Sequence, residues 1–162
     1  MLLAATGVAI QQDLLREAEK RFLLADKFLP DDQTRAHTAM SLGLVRRQLE
    51  DYTGSIEAYT QATTLFKVPQ DLAEAHHQRA KSYREWGNWK MAARDFNLAI
   101  DHYGDIDEQA KVHREMGNMY ADAGNFDEAL RHLGLAIVRF STNEKKALSC
   151  FDVGLVMEKK GD

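Results

Sequence analysis

Residues 116–136 read MGNMYADAGNFDEALRHLGLA, and residues 79–99, 37 positions earlier, read RAKSYREWGNWKMAARDFNLA. The two segments superimpose Tyr120 on Tyr83, Gly124-Asn125 on Gly87-Asn88, Phe126 on Trp89 and Leu133 on Phe96. Sliding the whole chain by the same 37 residues extends the match. One column holds Phe22, Tyr59, Phe96 and Leu133; a second holds Leu15, Tyr52, Trp89 and Phe126. A column of small residues holds Ala18, Ser55, Ala92 and Ala129, and a fourth is alanine throughout: Ala25, Ala62, Ala99 and Ala136. Four columns kept through four copies mark an internal repeat, which decides the fold before any other feature does.

Each unit contains two helical patterns. Apolar and small residues recur three, four and seven apart, the spacing that lines one face of a helix, and no strict alternation argues for strands. The patterns run over 36–49 and 52–66, then 73–86 and 89–102, then 110–123 and 126–139. Gly87-Asn88, Gly124-Asn125 and Gly161-Asp162 stand at one repeat position. There glycine takes the left-handed conformation that ends a helix, and Asn or Asp caps the next. Glu50-Asp51 keeps the cap without the glycine, which predicts a less ideal turn. Pro30, Pro69 and Gly104 are expected to break the second helix of each unit.

Composition agrees with a folded helical chain. Of 162 residues, 44% are hydrophobic and 28% charged, too apolar for disorder. With 21 basic against 25 acidic residues the net charge is −4, so no overall basic field points to nucleic acid. The single Cys150 rules out a disulfide framework and fits a reducing, cytoplasmic setting. No stretch approaches the ~18 apolar residues a membrane span needs. The opening MLLAATGVAI lacks a basic flank, so it is read as a first helix or an arbitrary start rather than a signal peptide.

These columns resemble the tetratricopeptide repeat family over nearly the whole chain. The fullest copy is Met116-Gly117, Tyr120, Gly124, Phe126, Ala129, Leu133 and Ala136. The third unit supplies Ala80, Tyr83, Gly87, Trp89, Ala92, Phe96 and Ala99; the second supplies Leu42-Gly43, Tyr52, Tyr59 and Ala62. In the first unit only the second-helix pattern is strong, through Leu15, Ala18, Phe22, Ala25 and Pro30. The resemblance implies an all-α fold, a right-handed α-solenoid of antiparallel helix-turn-helix hairpins. Units are placed at about 1–35, 36–72, 73–109 and 110–146, with a partial unit at 147–162, as a single array expected to be part of a longer one. The period of 37 exceeds the family's usual ~34, implying an extra turn or a longer link. Arg46 replaces a usual aromatic and Arg79 a usual apolar residue; both are expected to reach solvent along their stems.

Chemistry-bearing motifs are missing. There is no nucleophile elbow, phosphate loop, dinucleotide glycine pattern or paired-cysteine zinc motif. His76, His113 and Cys150 share a column, but neighbouring helices ~8–10 Å apart cannot bring three such side chains to one ion, so they are read as packing residues. Cys150 is accordingly expected to be buried. The chain is read as no enzyme, with no catalytic residue, metal or cofactor.

In the family the first helices line a concave surface that holds an extended peptide or a partner helix. Carried over, those positions are His37, Met40, Leu44 and Arg47; Glu74, His77, Lys81 and Arg84; Lys111, Arg114, Asn118 and Ala121; and Leu148, Phe151, Leu155 and Glu158. The middle is basic and hydrogen-bonding (His77, Lys81, Arg84, Lys111, Arg114, Asn118). Met40 and Leu44 at one end, Phe151 and Leu155 at the other, are apolar. The expected activity is a protein-interaction scaffold whose groove takes an acidic segment with apolar anchors. The competing reading is a mixed surface in which Glu74, Glu115 and Asp122 neutralise the cations. Arg114 and Asn118 resemble part of the family's chaperone-tail clamp, but Asp152 stands where its next Asn belongs, so that clamp is read as absent.

Two other functions compete. One is a peptide- or ligand-sensing regulatory domain of a larger signalling protein, which the longer, degenerate repeats also resemble. The other, RNA reading by helical repeats, lacks a uniform polar triplet per unit. Expected partners are therefore protein, without nucleic acid or membrane. Phe151, Leu155, Val156 and Met157 leave an apolar C-terminal end, which predicts self-association there or a further part of the array.

Overall fold

A computed structural model describes residues 2–161, with side chains from residue 10 onward; Met1, and the Asp162 of the last expected joint, lie outside the described residues. The described residues form eight helices and no strand: α1 (Leu2–Asp26), α2 (Asp32–Gln48), α3 (Tyr52–Leu65), α4 (Pro69–Glu85), α5 (Trp89–His102), α6 (Ile106–Asp122), α7 (Phe126–Arg139) and α8 (Asn143–Lys160). The pairs α2–α3, α4–α5 and α6–α7 are hairpins, and each packs on the next, so the array is an all-α helical-repeat solenoid. First helices of 17 residues, three-residue turns and links, and second helices of 14 residues fill the period. The extra turn therefore lies in the first helix, which starts four residues earlier than its apolar pattern, at 32, 69 and 106.

Three expectations change here. Pro69 does not break α3, which has already ended at Leu65; it opens α4 at a first-turn position where a missing N–H costs nothing. The N-terminal segment contains no turn at all: Leu2–Asp26 is one continuous helix, whose later half takes the place of a second helix. And neither arginine runs out to solvent. Arg79 Nε lies 2.5 Å from Oδ2 of Asp95, which is 1% exposed, and its amino groups reach Asp95 Oδ1, Thr60 and Thr63. Arg46 donates to Glu19 of α1 and to the Gly54 carbonyl. Each guanidinium thus ends on a partner of the protein itself.

The hairpin turns follow their sequence. Gly87 and Gly124 have φ of 83° and 75°, and Glu50 is forced into the same left-handed region at 61°. The next residue's N–H closes the turn on the carbonyl of Arg46, Tyr83 or Tyr120, while the side chains of Asp51, Asn88 and Asn125 cap the following helix. Between units lies a column that the repeat reading left out: Leu29, Phe66, Tyr103 and Phe140. The three aromatic members cap α3, α5 and α7 in extended conformation, donate backwards to Ala62, Ala99 and Ala136, and are buried between units. The core is accordingly a chain of clusters across unit boundaries. The largest gathers Ala80, Phe96, Tyr103, Met116 and Met119 from α4, α5, the link and α6.

Candidate functional site

First helices share one face of the solenoid because side chains 37 residues apart occupy equal places on successive units. Clefts open on that face between neighbouring first helices. One, of about 430 Å³, lies between α6 and α8; Phe140 and Leu148 supply apolar surface, with Lys111, Arg114, Asn118 and Lys145 beside Asp107, Glu108 and Glu115. A second of about 310 Å³ lies between α2 and α4, lined by Met40, Leu44, Arg47, Tyr59, Gln78 and Lys81 among others. A third of about 200 Å³ borders Asn118, Ala121, Asp152, Leu155 and Lys159.

The expected binding residues fall along these clefts and beside them. Lys111, Arg114 and Asn118 line the α6–α8 cleft; Met40, Leu44 and Lys81 line the α2–α4 cleft. Leu155 lies in the third, Phe151 projects 67% exposed from α8, and Arg84 stands close enough to Glu115 to act on its charge. His77 is the exception to surface placement. It is fully buried, with Nδ1 at 3.1 Å from the Tyr103 hydroxyl and Nε2 at 3.0 Å from Glu115 Oε2. The Tyr103 hydroxyl itself donates to Glu74, so its oxygen remains to accept. A residue carried over by position as a groove contact is here a core connection between units.

Most of the central cations are also engaged. Lys81 pairs with Glu115 at 3.4 Å. Arg114 Nε meets Asp152 Oδ2 at 2.5 Å, and Asn118 donates to the same oxygen at 3.4 Å. Burial pushes Glu115 upward, yet its hydrogen bond with His77 and the nearby Lys81 and Arg84 hold it down at about 2. Asp107 is likewise held at about 2 by Lys145 and by two hydrogen bonds from Ser141. The neutralising acids are Glu115 and Asp152; Glu74 instead accepts from Tyr103 and Gln78, and Asp122 faces Lys159 at 3.9 Å. Much of the basic patch is thus taken up in ion pairs within the protein.

Several contacts between first helices share one separation that the sequence carries. Arg47–Glu85, His77–Glu115, Arg114–Asp152 and Asp107–Lys145 each join residues 38 apart, as does the Gln33–Asp71 hydrogen bond. One period plus one residue places a side chain on the neighbouring first helix, one residue further toward the hairpin turn. Opposite charges at that separation would have revealed Asp107 and Lys145, which reading each helix by itself did not. Phe140 was open to the same column test, and the Leu148 position was already among the groove positions.

Elsewhere, His113 and His132 touch through their Nδ1 atoms at 3.1 Å. Arg131 can only donate to His132 Nε2, at 2.7 Å, so neutral His132 carries its hydrogen on Nδ1 and donates to His113. Burial first, then the neighbouring positive groups, push both imidazoles down to about 4. His76 and His113 are buried as expected of packing residues. Cys150 in the same column is exposed, because no later helix of the described residues covers that side of α8. Val156, expected at the apolar end, is 2% exposed and packs with Ala121, Ala129 and Leu133, whereas Phe151, Leu155 and Met157 are exposed. No described helix is long and apolar enough to cross a membrane.

Comparison with known proteins gives a family model and a set of folds. The tetratricopeptide repeat model matches residues 36–67, which take in most of α2 and all of α3. No curated protein matches the sequence. Among solved structures, a crystal structure of MamA is similar with a TM-score of 0.70 and 19% identity, covering 91% of this chain and 79% of that one. A structure of BtubC (BKLC) from P. vanneervenii gives 0.72 and 15%, covering 95% and 67%. A further MamA structure gives 0.65 and 20%, covering 98% and 78%. At these identities the likeness concerns the fold.

Proposed function

We propose, from the premise that the chain is a tetratricopeptide repeat protein, that it holds an extended segment of a partner protein along its first-helix face. Such repeats generally mediate contact between proteins rather than catalysis. The observation that carries the reading is the α6–α8 cleft, whose size suits the side chains of a bound peptide and whose Phe140 and Leu148 offer apolar contact inside a charged rim. Lys111, Arg114 and Lys145 stand against Asp107, Glu108 and Glu115, so the rim is balanced. The partner's main anchor is then an apolar side chain in this cleft. Its acidic groups add affinity where they take Arg114 and Asn118 from Asp152, and Met40, Leu44, Phe151 and Leu155 extend the apolar contacts at either end.

The test uses peptides displayed at random sequence, selected on the chain and measured by fluorescence anisotropy. Selected peptides should carry an apolar residue flanked by acids. Leu148→Asp, at an exposed position, should weaken them by about tenfold or more. Lys111→Glu should weaken them less, and only at low salt. Unchanged affinity in Leu148→Asp would remove the reading.

A second reading, a sensing regulatory domain, draws on the ion pairs that bridge units on this same face. A ligand carboxylate that displaces Asp152 from Arg114 would loosen α8 from α6, and so couple binding to the angle between units.

A further inference from the structure

Three members of the bulky second-helix column are hydrocarbons, Phe22, Phe96 and Leu133; the second unit alone places a hydroxyl there, on Tyr59. The far end of the Tyr59 ring lies against α2, where a Cβ built on Gly43 would come within 2.8 Å of the carbon that bears the hydroxyl. Glycine at 43 therefore lets the ring lie across the first helix, and Tyr59 reaches the wall of the α2–α4 cleft. The residue is 1% exposed, and its hydroxyl is buried without a hydrogen-bond partner. A buried, unpaired hydroxyl opposes folding, and phenylalanine, as in the third unit, would avoid that cost. The fold makes no use of this oxygen.

A second unpaired group belongs to the same wall. Arg47 donates from one amino group to Glu85 and from the other to Gln78, which fixes its guanidinium, while its Nε is buried with no partner. Burial pushes the Tyr59 hydroxyl up to about 12 against the pull of nearby Arg47, so it keeps its proton and can donate. No hydrogen bond joins the two side chains. The other polar groups of the wall are engaged: Gln78 donates to Glu74, Glu74 accepts from Tyr103, Ser41 donates to the His37 carbonyl, and Lys81 faces Glu115. What the cleft leaves over is two donors, beside the apolar Met40 and Leu44. Its lining charges are Arg47 and Lys81 against Glu74, a positive balance that the α6–α8 rim does not have.

We propose that the α2–α4 cleft binds a carboxylate carried on a small apolar body, the oxygens accepting from the Tyr59 hydroxyl and Arg47 Nε while the hydrocarbon lies on Met40 and Leu44. The volume of about 310 Å³ is at the small end for ligand sites. Two donors in a positive setting select an anion over a neutral carbonyl, and they repel a cation. Both donors are closed off from water, so the ligand enters as Leu44, 42% exposed, and the unbranched Met40 turn aside. The same chemistry occurs on a free organic acid and on the last residue of a peptide, and the test separates them. The site uses no part of the α6–α8 cleft.

The experiment is an NMR titration of the chain at pH 7 with hexanoate, benzoate and phenylacetate, with hexanamide as the neutral control. A second arm uses acetylated alanyl-leucine ending in a free carboxylate or in an amide. Acids should give saturable shifts centred on α2, α3 and α4, and the amides should bind at least about tenfold more weakly. Tyr59→Phe should weaken the acids by about tenfold or more while its Tm stays level or rises, because the hydroxyl has no partner to lose. Leu44→Asp, at an exposed position, sets a like charge in the cleft and should abolish acid binding. Leu148→Asp should leave it unchanged, so failure of this site and failure of the peptide reading are seen separately. Binding of the free acids shows that a small acid suffices; binding of the dipeptide acid alone assigns the site to a chain terminus. Absence of binding by any acid, amides that bind equally well, or Tyr59→Phe with unimpaired affinity would each overturn the proposal. A clear fall in Tm with Tyr59→Phe would do the same, since the hydroxyl would then serve the fold.

Discussion

At one pair of repeat positions the second unit holds Leu42 and Ala58, while the third holds Arg79 and Asp95. Both versions sit in the same buried place, so the array contains its own control for what an ion pair does there. Burial opposes charge on both partners, but the mutual hydrogen bonds win, lowering Asp95 and raising Arg79 from their ordinary values. Replacing one member leaves the other charged and unpaired in the interior. Arg79→Leu alone should therefore destabilise the protein by about 3–5 kcal/mol in urea unfolding. Arg79→Leu with Asp95→Ala recreates the second unit's pair, and should recover most of that loss. A double variant no more stable than the single one would mean that the loss does not come from leaving Asp95 charged and unpaired. The pairing itself was open to reading: two charged replacements of apolar and small residues, in one unit and opposite in sign, stand at equivalent repeat positions. Read by itself, Arg79 suggested a side chain bent toward water.

At the scale of the element, the N-terminal position of the first helices shows a second internal comparison. Asp31, Asp105 and Thr142 accept from backbone N–H groups of α2, α6 and α8. Val68, in the same column, caps α4 with no side-chain hydrogen bond, although Pro69 follows in a favourable place. Val68 is 48% exposed, so little apolar contact is lost on replacing it. Val68→Asp should stabilise the protein by about 1 kcal/mol, which for a chain of this size is a rise of roughly 2–4 °C in Tm. A Tm that does not rise would show that Val68 packs more tightly in solution than its exposure implies. Turn positions were legible in the sequence because glycine and capping residues act locally. The start of each first helix was not, because its opening turn carries no apolar period.

Over the whole molecule, the titratable groups set an acid limit. His113 and His132 sit at about 4 in the folded chain, below the ordinary value of about 6.5 that the unfolded chain restores. Between those values the unfolded state binds protons that the folded state refuses, so stability falls as pH drops through that window. Glu115, at about 2 when folded, adds a further loss below about pH 4.5 in the same direction, since the unfolded carboxylate takes up its proton first. Tm should therefore decline from pH 7 toward pH 4.5, before the carboxylates contribute. The double variant His113→Ala with His132→Ala should flatten that decline while lowering Tm at neutral pH. An unaltered slope would place the acid sensitivity elsewhere.

The sequence by itself determined that the chain is a helical repeat, with its period, its hairpin turns and the residues of its core columns. Each of these rests on contacts within about one period, which recur and so declare themselves. Only the tertiary structure decided how charge is spent on the first-helix face. His77, Lys81 and Arg114 look like a basic patch when each helix is read alone, but helix stacking brings Glu115 and Asp152 from the next unit against them. The net field of a face depends on which opposite charge the packing brings within a few ångströms. That is a property of neighbours in space, which the order of residues along one helix does not contain.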